Sequence, residues 1–308
     1  MGFFWTSTGR LRLIWRVFLF ILLFMVFTVL GSFLALPGLP GQTFPILMAA
    51  LLAGWILLRM DGRAPGALGF YLAPSVGRES LGGVGLGVLV AVAAVLGIAA
   101  LGGVRWSGDA GTLNEYLLAG AAALWLFAIP AAAEEALLRG YLFQSLVEGW
   151  GALEALWLTS LVFGLLHLGN PNVAPLGFVS IVMAGMFLGV VYLKTASLWW
   201  ASGAPLGWNW AHGFLADLPV SGLDLVDAPL VEAHVRGADW VSGGAFGPEG
   251  SVVAAAVLGL AALALWKSSW MSPGASARNV RPLVLFRESE RTAEDSGEGI
   301  WRFVDREK

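Results

Sequence analysis

The sequence predicts an all-α fold, that of a polytopic membrane protein with about eight transmembrane helices. Hydrophobic residues occupy 57% of the 308 positions, only 13% of residues are charged, and the mean hydropathy is +0.76. Soluble proteins carry about 25% charged residues, so this composition is typical of a chain that lies in lipid. The net charge of −3 argues against a nucleic-acid partner. The lack of cysteine excludes disulfides, thiolate metal sites and cysteine nucleophiles.

About eight apolar runs are long enough to cross a bilayer, which takes roughly 20 mostly apolar residues. They lie near residues 13–36, 43–59, 80–102, 116–147, 152–168, 174–193, 197–216 and 251–267. The first run exceeds the roughly 7 to 15 apolar residues of a secretory signal, so we interpret it as a retained anchor. Glycine clusters at 82–87 and 98–103 favour close helix packing, because small side chains let two backbones approach.

Basic residues concentrate on one side of an arrangement with an even number of spans. They are Arg10, Arg12, Arg16, Arg59, Arg63, Arg78, Lys194 and Lys267. The loop at 217–250 on the other side is acidic, so the positive-inside rule predicts a multi-pass plasma-membrane protein with both termini cytoplasmic. We expect one transmembrane domain over residues 1–271. Residues 272–308 mix charges of both signs with too little apolar content to fold alone, which predicts a disordered cytoplasmic tail.

Three ionisable residues stand inside the fourth span, in the stretch AEEALLRGY at 133–141. A charge at bilayer depth costs at least about 2.5 kcal/mol, so each needs a partner or a watery cavity. Glu135 and Arg139 are four residues apart and can pair on one helix face, whereas Glu134 points about 100° away. Alternatively, the span ends at Ala133 and the glutamates lie in headgroup water. The apolar pattern that continues to GWG at 149–151 argues against this and predicts a helix to about 147.

His167 is the expected neighbour of Glu134. If the fourth and fifth spans form a hairpin that turns at 149–151, each of the two residues lies about 25 Å from the turn along its helix. A carboxylate and an imidazole would then face each other at one depth, although a lone histidine at a helix end is more often interfacial. Asn209 lies among tryptophans in the seventh span, where an amide serves either a site or helix–helix hydrogen bonding.

At these residues the sequence resembles the CPBP family of intramembrane endopeptidases, also called the CAAX-protease or Abi family. The family motifs are Glu-Glu-x-x-x-Arg, Phe-x-x-x-His and His-x-x-x-Asn/Asp on an eight-helix membrane core. Residues 134–139 fit the first motif and residues 163–167 the second. The likeness covers about residues 80–267, and the loop SGGAFGPEGS at 242–251 resembles one found in a bacterial subset of the family.

The third motif departs from the family pattern. Asn209 aligns with the Asn/Asp position, but Pro205 stands where the family has histidine. Proline has no ring nitrogen acceptor and no N–H, so it can neither donate to an oxyanion nor ligate a metal. His212 is on nearly the same face about 10 Å further along the helix. We interpret it as an interfacial residue rather than a replacement, and we assign no partner to His234.

The resemblance implies hydrolysis of peptide bonds in membrane-associated substrates. Glu134 and His167 would activate a water, Asn209 would stabilise the oxyanion, and Glu135 with Arg139 would fix the surroundings of Glu134. Loss of one oxyanion donor typically lowers the rate by about 10² to 10³. Pro205 therefore predicts either impaired turnover or a substituted oxyanion donor. Partners are expected to be lipid and a membrane-associated peptide or protein. No residue argues for or against prenylated CAAX substrates.

No cofactor is expected, and zinc is the less favoured alternative, because only Glu134 and His167 remain in register as ligands and a catalytic zinc usually has three.

Two other function classes stay open. One is a catalytically silent membrane scaffold or immunity-type protein, which Pro205 favours. The other is a transporter that uses Glu134 and His167 as a proton relay, although the sequence shows no inverted repeat.

Overall fold

The computed structural model describes residues 3–6 and 9–285, and this part of the chain is mostly helical. Its α-helices are α1 (Leu13–Ser32), α2 (Gly38–Met60), α3 (Val76–Ala100), α4 (Leu113–Leu138), α5 (Tyr141–Gly149), α6 (Ala152–Leu166), α7 (Pro175–Thr195), α8 (Leu198–Trp210), α9 (Asp239–Ser242), α10 (Val252–Lys267) and α11 (Ala275–Asn279). A π-helical turn, Ala211–Leu215, follows α8 directly. The all-α, polytopic fold class is confirmed.

Within the described residues, five helical segments are long and apolar enough to cross a membrane. They are α1, α2, α3, the combined segment Leu113–Gly149, and α7. Helices α6 and α10 are apolar but shorter, with 15 and 16 residues. The sequence count of about eight spans therefore stays a prediction.

The fourth span continues past Ala133 to Gly149, as predicted, but it is interrupted at Gly140 and is not one continuous helix. Helix α4 begins at a capping box formed by Thr112 and Glu115 and ends at Leu138. Gly140 leaves the helical region with φ −69° and ψ −131°, and α5 starts at the next residue. A Cβ at Gly140 would lie 2.2 Å from the carbonyl oxygen of Ala136, so no other residue fits this break.

Helices α3 and α8 pack backbone to backbone through glycine. A Cβ on Gly87 would lie 2.0 Å from the carbonyl oxygen of Ala204, and one on Gly207 would lie 2.1 Å from that of Val84. Only glycine allows such close approach, which confirms the packing role expected for the cluster at 82–87. The contact fixes the position of α8, the helix that carries Asn209.

At the predicted cytoplasmic end, two arginines and two acids form a buried ion-pair network. Arg10 bonds to Asp61 (2.8 Å) and Glu148 (2.6 Å), and Arg16 bonds to Glu148 (2.6 Å). The hydroxyl of Tyr141 donates to Asp61 at 2.9 Å. Burial alone would lower the pKa of Arg10, but the hydrogen bonds and charges of the two acids raise it above its ordinary value. The network ties the N-terminal segment to the end of α2 and to α5.

At the opposite end, the 217–250 loop folds over the helices as a cap. Strand β1 (Val104–Gly108) pairs antiparallel with β2 (Val231–Val235), with Val104 opposite Val235. The carboxylate of Asp217 accepts from the backbone N–H groups of Ala228 (3.3 Å) and Ala233 (3.0 Å). This acid therefore serves the loop's own backbone.

Residues 275–285, which composition assigned to the charged tail, pack against the helices. Leu283 is fully buried, and its backbone N–H donates to Gln144 Oε1 at 2.7 Å. The amide nitrogen of Gln144 in turn donates to the carbonyl oxygens of Ala67 and Leu68. The rest of the predicted tail, residues 286–308, lies outside the described residues, so its disorder stays a prediction.

Candidate active site

Glu135 and Arg139 form a fully buried ion pair. Arg139 Nη1 lies 3.0 Å from Glu135 Oε1, and both side chains have no exposed surface. Arg139 Nη2 donates to the carbonyl oxygen of Gly185 at 2.9 Å, and the guanidinium carbon lies 5.0 Å from the centroid of the Phe163 ring. The pairing predicted from the four-residue spacing is confirmed. Arg139 thereby joins the end of α4 to α6 and α7.

Glu134 is half-buried next to this pair. Its charge interacts with His167 of α6, with Arg139, and with Glu249 of the cap. The carboxylate of Glu134 and the imidazole of His167 therefore lie in electrostatic range of each other, and their catalytic roles stay a prediction.

His167 is the C-cap residue of α6, and its ring orientation is fixed by the helix itself. Nδ1 lies 2.7 Å from the carbonyl oxygen of Phe163, and the two rings are in contact with centroids 4.5 Å apart. A carbonyl oxygen only accepts hydrogen bonds, so Nδ1 carries the proton. In the neutral ring Nε2 is then a free acceptor.

Asn209 is half-buried in the last turn of α8, and Pro205 is buried one turn earlier. The hydroxyl of Ser197 caps the start of this helix by accepting from the backbone N–H of Trp200. Pro205 lies inside the helix, so its missing N–H leaves the position of the family histidine without a donor.

His212 is fully buried in the π-helical turn, so its interpretation as an interfacial residue is wrong. Nδ1 lies 2.9 Å from the carbonyl oxygen of Trp208, and Nε2 has no hydrogen-bond partner in the described part of the chain. The π-helical turn packs against α3 and α4, and this packing is not visible in local hydropathy. His234, by contrast, is in β2 with Nε2 2.8 Å from Ser107 Oγ, outside the site.

Glu249 is a residue of the site that sequence reasoning missed, because it read as one acid among several in the loop. It is 8% exposed on a 3-10 turn, Pro248–Gly250. Its Oε1 accepts from Trp208 Nε1 at 3.0 Å and its Oε2 from Ser221 Oγ at 2.6 Å. It interacts electrostatically with both Glu134 and His212. The available signal was a single glutamate in an otherwise uncharged, glycine-rich stretch, SGGAFGPEGS.

The donor set does not fit a zinc centre. A catalytic zinc usually takes three protein ligands. Within residues 3–6 and 9–285, no group of three or more His, Cys, Asp or Glu side chains converges closely enough to hold a metal ion. No chemical step is therefore assigned to a metal.

The family comparison falls on the helices that carry this site. Residues 116–211 match the family model described as type II CAAX prenyl endopeptidase Rce1-like. This segment is an Rce1-like domain. Over residues 116–211 it confirms the resemblance to the CAAX, or CPBP, family that the motifs indicate. No curated protein and no solved structure matches the chain.

The Rce1-like domain contains Glu134, His167, Pro205 and Asn209. Its match ends one residue before His212, and Glu249 lies further along the chain. Two of the residues around the site therefore come from outside the matched segment.

Proposed function

We propose that this protein is an intramembrane endopeptidase that hydrolyses peptide bonds of membrane-associated substrates. The observation that carries the proposal is the interaction of Glu134 with His167 inside the Rce1-like domain. A half-buried carboxylate beside an imidazole with a free Nε2 is suited to activating a water. The membrane-spanning helices around the pair point to a substrate in or at the bilayer.

The two side chains have separate tasks in this mechanism. The water donates one hydrogen bond to the Glu134 carboxylate and a second to Nε2 of His167. These two hydrogen bonds hold the water oxygen toward the substrate carbonyl. As that oxygen attacks the carbonyl carbon, Glu134 takes the first proton. The C–N bond then breaks, and Glu134 passes the proton to the leaving nitrogen.

Asn209 is the proposed donor to the oxyanion through its side-chain amide. Pro205 offers no second donor, so the enzyme is expected to be about 10² to 10³ slower than a site with two donors. The buried Glu135–Arg139 pair holds the end of α4 against α6 and α7, and so keeps Glu134 beside His167.

The remaining expectations belong to the same proposal. The protein works without a cofactor, its partners are lipid and a membrane-associated peptide or protein, and its location is the plasma membrane with both termini cytoplasmic. The positive-inside rule supports this orientation through Arg12, Arg59 and Arg78, which lie outside the buried ion-pair network.

Cleavage of a fluorogenic peptide attached to a transmembrane helix, measured in proteoliposomes, tests the proposal. Glu134→Gln is expected to abolish cleavage. Glu154→Gln is the matched control, because Glu154 is exposed in the first turn of α6, at the opposite end from His167. Cleavage by Glu134→Gln at the wild-type rate would refute the mechanism, and a wild-type protein that cleaves no such peptide would support the silent scaffold instead.

A further inference from the structure

The imidazole of His212 has a fixed tautomer and one unused acceptor. Its Nδ1 is committed to the carbonyl oxygen of Trp208, 2.9 Å away, so Nδ1 carries the proton. Nε2 is buried without a hydrogen-bond partner among the described residues. A buried acceptor that has lost water and gained no donor destabilises the folded protein. Such an atom indicates a donor that arrives with a ligand or with solvent.

His212 also follows the proposed oxyanion donor closely along the same helical segment. It is seven residues after Pro205 and three after Asn209, which puts all three on nearly one side of α8 and its π-helical continuation. Glu249 interacts electrostatically with both His212 and Glu134. Its carboxylate is bonded to Trp208, one turn before His212, and is in electrostatic range of Glu134.

The chemistry around Nε2 selects a hydrogen-bond donor. The nearby charge of Glu249 is negative, and its two oxygens already accept from Trp208 and Ser221. A neutral acceptor next to a carboxylate favours an N–H group, which carries a partial positive charge, and disfavours a carbonyl or a carboxylate. In a protease, the N–H groups that every substrate brings are those of its main chain.

We propose that Nε2 of His212, which is buried in the protein without substrate, accepts a hydrogen bond from a main-chain N–H once a substrate has entered, next to the bond that is cleaved. This inference rests on the proposed protease function and adds a substrate contact from outside the Rce1-like match. Asn209 and His212 are three residues apart, about 4.5 Å along a helix axis. An extended peptide rises about 3.3 Å per residue. When its scissile carbonyl faces Asn209, the N–H that reaches His212 belongs to a peptide bond one or two residues away.

The test pairs His212→Leu with substrates in which one peptide bond is replaced by an ester. The ester lacks the N–H, and it is placed one or two residues on either side of the scissile bond, never at it. For each ester position, the ratio of kcat/KM for the amide to kcat/KM for the ester is measured in both enzymes. At one position, this ratio is expected to be about 2- to 12-fold higher in the wild-type enzyme than in His212→Leu. A purely structural role of His212 would slow both substrates equally.

Two further variants complete the design. His212→Gln retains an acceptor oxygen and is expected to recover part of the amide preference. His234→Leu is the matched control, because His234 is bonded to Ser107 in the sheet of the cap, and it should leave the preference unchanged. Thermal unfolding in detergent shows which variants are folded. If His212→Leu is not folded, the ester scan of the wild-type enzyme decides.

The outcomes separate this inference from the function on which it rests. If Glu134→Gln cleaves like the wild-type protein, the protease mechanism fails. If Glu134→Gln is inactive but wild type and His212→Leu have equal amide-to-ester ratios at every position, only the His212 contact is overturned. The same holds if the wild-type enzyme shows no amide preference at any position, since solvent then supplies the donor to Nε2.

Discussion

Replacing Arg139 with methionine tests how the end of α4 is held. The change removes the cation from a pair in which both side chains have no exposed surface, and so leaves the Glu135 carboxylate buried without a counter-charge. Breaking a buried pair from one side costs about 3 to 5 kcal/mol. The carbonyl oxygen of Gly185 also loses its donor at 2.9 Å, which adds about 1 to 3 kcal/mol. We expect the free energy of unfolding to fall by about 4 kcal/mol or more.

The double variant Glu135→Leu/Arg139→Met gives the comparison that isolates the charge effect. Replacing both partners of a buried pair by apolar residues is often neutral, because both desolvation costs disappear. The double variant is therefore expected to lie within about 2 kcal/mol of the wild-type protein, less destabilised than the Arg139→Met variant alone. Unfolding in mixed detergent micelles, followed by tryptophan fluorescence, measures all three proteins. A loss below about 1 kcal/mol in the single variant, or additive losses in the double variant, would refute the reasoning.

Three other predictions follow from the described contacts. Gly207→Ala is expected to lower the free energy of unfolding by about 1 to 3 kcal/mol, because its Cβ would lie 2.1 Å from the carbonyl oxygen of Val84. Gly85→Ala is the control: its Cβ would have nothing within 4 Å, so this change should be neutral or stabilising in the same measurement. Burial and a hydrogen bond to Glu79 raise the pKa of Tyr71 above its usual 10. The Tyr71 hydroxyl therefore stabilises the fold below pH 10, and this stabilisation is lost as the pH rises further. The free energy of unfolding measured against pH should lose this dependence in Tyr71→Phe, and a pH profile equal to that of the wild-type protein would contradict the prediction. Asn209→Leu is expected to lower kcat by about 10² to 10³ with KM little changed, and a change in KM alone would exclude Asn209 as the oxyanion donor.

Local spacing was sufficient to predict two parts of the site. Glu135 and Arg139 pair because residues four apart on a helix are neighbours, whatever surrounds them. Glu134 and His167 come within electrostatic range of each other, as their equal distances from the 149–151 turn predict, although the helix between Glu134 and that turn is interrupted at Gly140. Both predictions use only helix geometry along one chain segment.

The features that the sequence did not reveal depend on contacts between distant segments. The break at Gly140 accompanies the reach of Arg139 to Gly185, 46 residues further along the chain. His212 is buried because the π-helical turn packs against α3 and α4, which are far from it in sequence. Glu249 enters the site because Trp208 and Ser221 hold its carboxylate. Hydropathy and local spacing carry no information on such pairings.

The two buried or half-buried histidines of the site are held in the same way. In each, an aromatic residue precedes the histidine by four positions, and its carbonyl oxygen fixes Nδ1: Phe163 for His167 and Trp208 for His212. Each lies where regular α-helix has just ended, one at the C-cap of α6 and the other in the π-helical turn after α8. At His167 the backbone N–H bonds three residues back, to Gly164, which leaves the carbonyl of Phe163 to the ring. The helix ends therefore set both tautomers without a distant partner. Each ring keeps Nε2 as its acceptor, with a carboxylate in electrostatic range: Glu134 for His167 and Glu249 for His212.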